Sequence, residues 1–259
     1  MRILVTNDDG VLSPGIITLA TFLKKEGHEV LVVAPERQHS SVGHAITLHR
    51  PLRLWQVSNG PYPVGVTVYA CNGTPSDSVV LGLEELDPSV ELVCSGINIG
   101  PNLGDDLTYS GTVSAAMEGV VLGRPSVAFS LDCEDETSAH FEAAGVVAAK
   151  LVRWIEGHPL EKGLLLNVNV PNKETGMLAG FKVTKKGLRI YEGKVTKLRD
   201  PHGRVFYWIA GKPTDQLIEG TDVWAVANGY VSITPVHLDM THYPSLRKLK
   251  NEGLEEVRL

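Results

Sequence analysis

Two adjacent carboxylates, Asp8 and Asp9, close the apolar run Ile3–Val5 of this 259-residue chain in the turn Asn7-Asp8-Asp9-Gly10. Two further oxygen donors stand in comparable places: Ser40 beyond the run Val30–Ala34, and Asn98 beyond the run Leu92–Cys94. Two carboxylates, a hydroxyl and an amide carbonyl are hard ligands, which suit Mg²⁺, Mn²⁺ or Ca²⁺ better than zinc. Such a shell leaves positions open for water and substrate. Taken singly each residue has a plainer use: Asp-Asp-Gly is ordinary turn chemistry, Ser40 suits a helix cap, and Asn98 suits left-handed backbone. The set works together only if the three runs are neighbouring strands of one sheet.

A second constellation is Ser110-Gly111-Thr112, immediately before a helical pattern that runs from Thr112 to about Leu122. Backbone N–H groups and hydroxyls at a helix start form an anion site, and phosphate is the obvious anion. The loop leading to it, from Ser95, carries Gly96, Gly100, Gly104 and Gly111, which let backbone approach a ligand closely. The plainer reading is a capped helix after a surface loop, but loops of this length in a compact domain are more often functional. His39 and His44 flank Ser40 without a His-Glu-x-x-His pattern or cysteine cluster to suggest zinc. At least one should be an ordinary loop residue; His44 is a candidate proton donor because it lies near Ser40.

The elements that must hold these residues follow from periodicity. Ile16, Leu19, Ala20 and Leu23 fall at i, i+3, i+4, i+7 between Gly15 and Glu26, and Gly27 stops the helix. Val30–Ala34 completes a βαβ unit. Val66–Ala70 reads as a strand, and Thr74-Pro75 with Asp77 as a capped helix start. Ser126–Leu131 is strand-like, and Thr137–Glu156 is helical in pattern. Repeated βα alternation predicts an α/β fold, a doubly wound sheet with right-handed crossovers and ligands at the carboxyl ends of its strands. After about residue 163 the strand-like runs Leu164–Val170, Phe181–Thr184, Val205–Ile209 and Tyr230–Thr234 lack comparable helices between them, which predicts an antiparallel extension. The last helix should begin at Pro244.

Between Lys182 and Arg204 lie eight basic residues, Lys194 among them, and two acids, a local +6 that leaves −12 on the rest of a chain whose total is −6. A solvated hairpin with lysines guarding its edges explains this most simply. The sharper readings are an arm exchanged between subunits, a positive rim for anionic substrate, or a nucleic-acid-binding module with strongly salt-dependent affinity. Cys71, Cys94 and Cys133 form neither a disulfide framework nor a zinc knuckle. No apolar run suits a signal segment or a membrane span. A cytoplasmic protein without membrane contact is expected.

Absences narrow the chemistry. There is no Gly-x4-Gly-Lys loop, no Gly-x-Gly-x-x-Gly after the first strand and no Gly-x-Ser-x-Gly elbow. A metal beside an anion pocket remains, and it suits hydrolysis of phosphate monoesters, among the slowest uncatalysed reactions. Gly15–Pro35 also looks like the start of many nucleotide-sugar glycosyltransferases, but 259 residues are too few for their second Rossmann domain.

Met1–Gly10 (MRILVTNDDG), Ala34–Thr47 (APERQHSSVGHAIT), Gly73–Asp77 (GTPSD), Ser95–Gly119 (SGINIGPNLGDDLTYSGTVSAAMEG) and Gly229–Thr241 (GYVSITPVHLDMT) together resemble the stationary-phase survival protein family SurE. The resemblance implies a divalent-metal-dependent 5′-nucleotidase acting on nucleoside 5′- and 3′-monophosphates and in some members on short polyphosphate. It places the metal (Mg²⁺ or Mn²⁺) on Asp8, Asp9, Ser40 and Asn98, and phosphate on Asn102 and Ser110–Thr112. It further implies a Rossmann-like core, a protruding β-hairpin and a C-terminal segment used in dimer or tetramer formation. The expected division is a catalytic core over 1–175, with Asp8, Asp9 and Asn98 as catalytic residues, and an oligomerising extension over 176–259. No specific nucleic acid is an expected partner.

Overall fold

The apolar runs become strands because alternate side chains have two helical layers to bury into. In β1 (Arg2–Thr6) Ile3 and Val5 pack with Ile16, Leu19 and Leu23 of α1 (Pro14–Lys25), whereas Leu4 faces the opposite side with Val79 and Leu83. The structure, a computed structural model, describes residues 1–192, 195–209 and 211–257. After β1 and α1 come β2 (Glu29–Pro35), β3 (Leu54–Gln56), β4 (Thr67–Cys71), α2 (Pro75–Val80), β5 (Leu92–Ile99), α3 (Gly111–Val121), β6 (Ser126–Asp132), α4 (Phe141–Gly157) and β7 (Leu164–Pro171). The remaining elements are β8 (Phe181–Val183), β9 (Arg189–Glu192), β10 (Val195–Arg199), β11 (Val205–Ile209), β12 (Lys212–Asp215), α5 (Asp222–Ala227), β13 (Val231–His237) and α6 (Tyr243–Asn251).

A nine-stranded sheet has the order β3-β4-β2-β1-β5-β6-β7-β13-β8. The stretch from β4 to β7 is parallel, and β3 joins its edge antiparallel. Helices α1 and α4 cover one face; α2 and α3 cover the other. Because the chain leaves β1 for β2 on one side and later enters β5 on the other, the strand order reverses between β1 and β5, which makes their carboxyl ends the switch point where α/β sheets bind ligands. The predicted capping box forms: Asp77 N–H donates to Thr74 Oγ1 at 3.0 Å and Thr74 N–H to Asp77 Oδ2 at 2.8 Å.

Three expectations need correction. The strand predicted to end near Cys94 runs on to Ile99, with two residues of β5, Gly96 and Ile97, opposing one of β6, Phe129. This is a bulge, and Gly96 adopts φ 128 within it. Second, the antiparallel extension is only partly antiparallel: β13 pairs antiparallel with β7, but β8 runs parallel to β13, and both belong to the main sheet. Third, the strands expected to have no comparable helices between them do have one short helix, α5, of 6 residues, its start capped by Thr221. The predicted hairpin is present as β10 paired with β11, continued by β9 with β12. Lys194 lies outside the described residues. Among the described residues no helix is long and apolar enough to cross a membrane.

Candidate metal and anion centre

Asp8 and Asp9 follow the carboxyl end of β1 at this switch point, and Asp8 is only 5% exposed. Two features of α3 meet it. The Thr112 hydroxyl donates to Asp8 Oδ1, and a Cβ on Gly111 would stand 2.8 Å from Asp8 Oδ2, so only glycine lets the helix start come this close. Asp9 accepts the Ile99 N–H at 3.3 Å and the Gln38 side-chain N–H at 3.4 Å. Asn98, on the bulged end of β5, donates its amide N–H to the Gly100 carbonyl at 2.8 Å, which leaves Oδ1 as a donor atom for a cation. Ser40 is exposed and follows His39, whose N–H donates to the Asp8 carbonyl at 2.7 Å.

Burial and the neighbouring Asp9 push the Asp8 carboxyl up to about 7, and burial raises Asp9 as well. Among the described residues neither carboxylate has a lysine, arginine or histidine as ion-pair partner. The pair therefore carries charge that the chain does not compensate, and its donors are hard oxygens: a divalent cation fits. Among the described residues no three His, Cys, Asp or Glu side chains gather, so a cation on Asp8 and Asp9 would draw on neutral oxygens such as those of Ser40 and Asn98.

The predicted phosphate residues divide. Gly111 and Thr112 lie against Asp8. The Ser110 hydroxyl caps α3, accepting the Val113 N–H at 3.1 Å, and its own O–H donates to no described residue, so the cap leaves that proton available for an anion. Asn102 is buried and donates its side-chain amide to Ser130 Oγ at 2.7 Å; its backbone carbonyl accepts from the side chains of Asn167 at 2.8 Å and Asn169 at 3.1 Å. That amide network pins the beginning of the loop, and sequence reasoning missed it. Its signal was Asn167 and Asn169 two apart in the apolar run of β7, two amides on one side of a buried strand.

The middle of the loop, a turn over Gly104–Thr108, is held by the base of the arm. Arg189 pairs with Asp106 at 3.1 Å and with both oxygens of Asp215 at 2.8 Å; Lys186 pairs with Asp105; Gly104 N–H donates to Asp222 at 3.0 Å. Arg189→Met strands Asp106 and Asp215 in partial burial, and it should lower stability by roughly 3 kcal/mol, read as a shift of the chemical-denaturation midpoint. A cleft of about 310 Å³ opens elsewhere, at the amino edge of the sheet beside Arg2, Lys24 and Glu29. Arg2 there is already paired with Glu29 and Asp87, and the cleft does not reach the carboxylate pair.

Fold and site together define a doubly wound α/β protein whose sheet switch point holds an uncompensated carboxylate pair against a helix start. The family model described as Survival protein SurE matches residues 3–193. The 5′-nucleotidase SurE of Geobacter metallireducens is 48% identical over 261 residues, covering 100% of both chains. That of Pelotomaculum thermopropionicum is 49% identical over 254 residues, covering 96% of this chain and 94% of its own. The crystal structure of the SurE protein from Aquifex aeolicus superposes with a TM-score of 0.85 at 43% identity, covering 98% of this chain and 100% of that one. The chain belongs to the SurE family.

Proposed function

We propose that this chain is a divalent-metal-dependent phosphomonoesterase that converts nucleoside 5′- and 3′-monophosphates to nucleoside and phosphate, with short polyphosphate as a further substrate. The observation that carries this reading is the buried, uncompensated Asp8–Asp9 pair facing the start of α3. Its SurE relatives bear the name 5′-nucleotidase, and nucleotidases of this family are metal-dependent. Asp8, Asp9, Ser40 and Asn98 would hold one Mg²⁺ or Mn²⁺. When bound, the cation offsets charge on phosphoryl oxygens and lowers the pKa of water.

The chain's own residues do the rest. Thr112 fixes the orientation of the Asp8 carboxylate, and Gln38 and the Ile99 N–H fix that of Asp9. Backbone N–H groups of the first helical turn lack intrahelical acceptors, so Gly111 and Thr112 can receive phosphate oxygens at the positive end of the α3 dipole. Ser110 contributes by capping that turn, and Asn102 by anchoring the loop before it. Assaying phosphate release from a panel of phosphomonoesters with Mg²⁺, Mn²⁺, Ca²⁺ and Zn²⁺ tests the reading. Release from nucleoside monophosphates should vanish with chelator and return with Mg²⁺ or Mn²⁺; chelator-insensitive release would overturn it.

In this reading 1–175 carry the chemistry and 176–259 the assembly. Lys186, Arg189 and Arg204 are each paired with carboxylates, so the basic stretch offers fewer free cations to a nucleic acid than its composition suggests. Its outer strand instead presents Tyr207, Trp208 and Ile209, which are 62%, 65% and 90% exposed. Tyr207 and Ile209 lie on one face of this strand and Trp208 on the other; a hairpin apolar on both faces favours cover by another chain, and we assign it to a homodimer or homotetramer. Deleting Val195–Ile209 should lower the number of chains per particle obtained by light scattering; an unchanged number would sink this assignment. Three buried free cysteines fit a reducing, cytoplasmic setting.

A further inference from the structure

Helix α3 carries a buried acid that the metal chemistry does not use. Glu118 is 4% exposed, and its hydrogen-bond partner is His44 Nε2, 2.7 Å from Oε2. Glu118 lies seven residues beyond Gly111, so the two share one face of the helix about 10 Å apart along its axis. Gly111 abuts Asp8. One rigid helix therefore touches the metal-binding carboxylate with its first turn and the Ser40 loop with its third.

The loop between these contacts is pinned at its ends and sparsely held in its middle. His39 N–H donates to the Asp8 carbonyl at 2.7 Å, and Gly43 N–H to the Tyr109 carbonyl at 3.2 Å. Between them Ser40, Ser41 and Val42 make no hydrogen bond to other described residues. Ser41 sits at φ 56, a left-handed conformation that a non-glycine residue keeps only where its surroundings hold it. The side-chain link from this segment to α3 is His44–Glu118.

We propose that His44 and Glu118 are positioning residues: their pairing holds the 39–44 segment across the start of α3 and thereby places the Ser40 hydroxyl over Asp8 and Asp9. The inference rests on the reading of Ser40 as a metal ligand. It assigns the imidazole a tether's role rather than that of a proton donor to the departing nucleoside. Groups behind metal ligands typically change metal affinity 10- to 100-fold when removed.

The test uses the full chain and Mg²⁺ alone. His44→Ala should weaken Mg²⁺ binding by calorimetry about tenfold and speed amide hydrogen exchange across 39–45 in the metal-free protein. Its kcat at saturating Mg²⁺ should return to within about threefold of the parent. His44→Gln, which keeps an N–H donor for Glu118, should restore affinity and exchange. Glu118→Met frees the loop without stranding a buried charge and should reproduce His44→Ala if that variant folds poorly. Unchanged affinity, with or without faster exchange, overturns the proposal. So does a kcat loss at saturating Mg²⁺ that spares p-nitrophenyl phosphate, whose leaving group departs without a proton, since that pattern marks a general acid. A parent protein that fails to bind Mg²⁺ overturns the metal-site reading and the proposal together, whereas a parent that binds it normally while His44→Ala matches it overturns the proposal alone.

Discussion

Asp8→Asn is expected to cut metal-dependent release of phosphate from AMP by roughly a thousandfold or more, while making the metal-free protein more stable at neutral pH. The first effect follows from removing one of two carboxylates in a site whose cation supplies several kcal/mol of charge stabilisation to the transition state. The second follows from the cost of keeping Asp8 ionised. Its carboxyl is pushed from 3.8 up to about 7 by burial and by Asp9. Between those pH values the folded protein holds a proton that the unfolded chain has lost, so the stability present below about 4 drains away as pH rises through 7, by on the order of 4 kcal/mol. Above pH 7 a bound divalent cation takes the proton's place and restores stability by mass action. Calorimetric unfolding at pH 5 and pH 8, each with chelator and with Mg²⁺, reads all of this. The parent should lose stability from pH 5 to 8 in chelator and regain it with Mg²⁺; Asp8→Asn should flatten both responses. An Asp8→Asn enzyme with full AMP turnover would sink the metal-site assignment, and one that keeps the parent's pH slope would sink the protonation argument.

The parts legible in the sequence were those whose signal is local. The strand into Asp8, the α1 stripe of Ile16, Leu19, Ala20 and Leu23, and the Thr74–Asp77 box all depend on residues within a few positions of one another, and each formed as expected. What the sequence hid depends on partners far along the chain. Ser95 and Gly96 read as loop residues, yet they lie in β5 because β6 accepts the extra residue as a bulge. The main-sheet place of β8 and β13 follows from pairing with β7, which periodicity does not report. At the site the residues proposed as ligands stood out, because oxygen-bearing side chains follow three apolar runs, whereas the residues that orient them did not. Glu118 looks like any helix glutamate until His44 is placed against it, 74 positions away, and Arg189 counts as one more surface cation until Asp106 and Asp215 close on it.

The same logic makes Gly15 a strong structural test: it lies six residues after Asp9, but the partner that constrains it, Ile97, is 82 positions away. It is the second residue of α1, and a Cβ there would stand 1.9 Å from the Ile97 carbonyl oxygen and 3.2 Å from the Phe141 ring. The oxygen belongs to backbone at the bulged end of β5, so no rotamer change relieves the overlap; the helix start and the strand end must part. Gly15→Ala is therefore expected to cost about 3 kcal/mol or more. The strand end that moves also carries Asn98 and the Ile99 N–H that donates to Asp9, so metal affinity should fall with stability. At Gly157, the last residue of α4, an added methyl group would meet nothing within 4 Å. Gly157→Ala should leave stability unchanged or raise it by up to about 1 kcal/mol. Denaturant midpoints and Mg²⁺ titrations of the two variants, measured side by side, give the comparison. Equal midpoints would mean that α1 and β5 can separate freely, and that close packing against Ile97 is not what sets Asn98 beside the carboxylate pair.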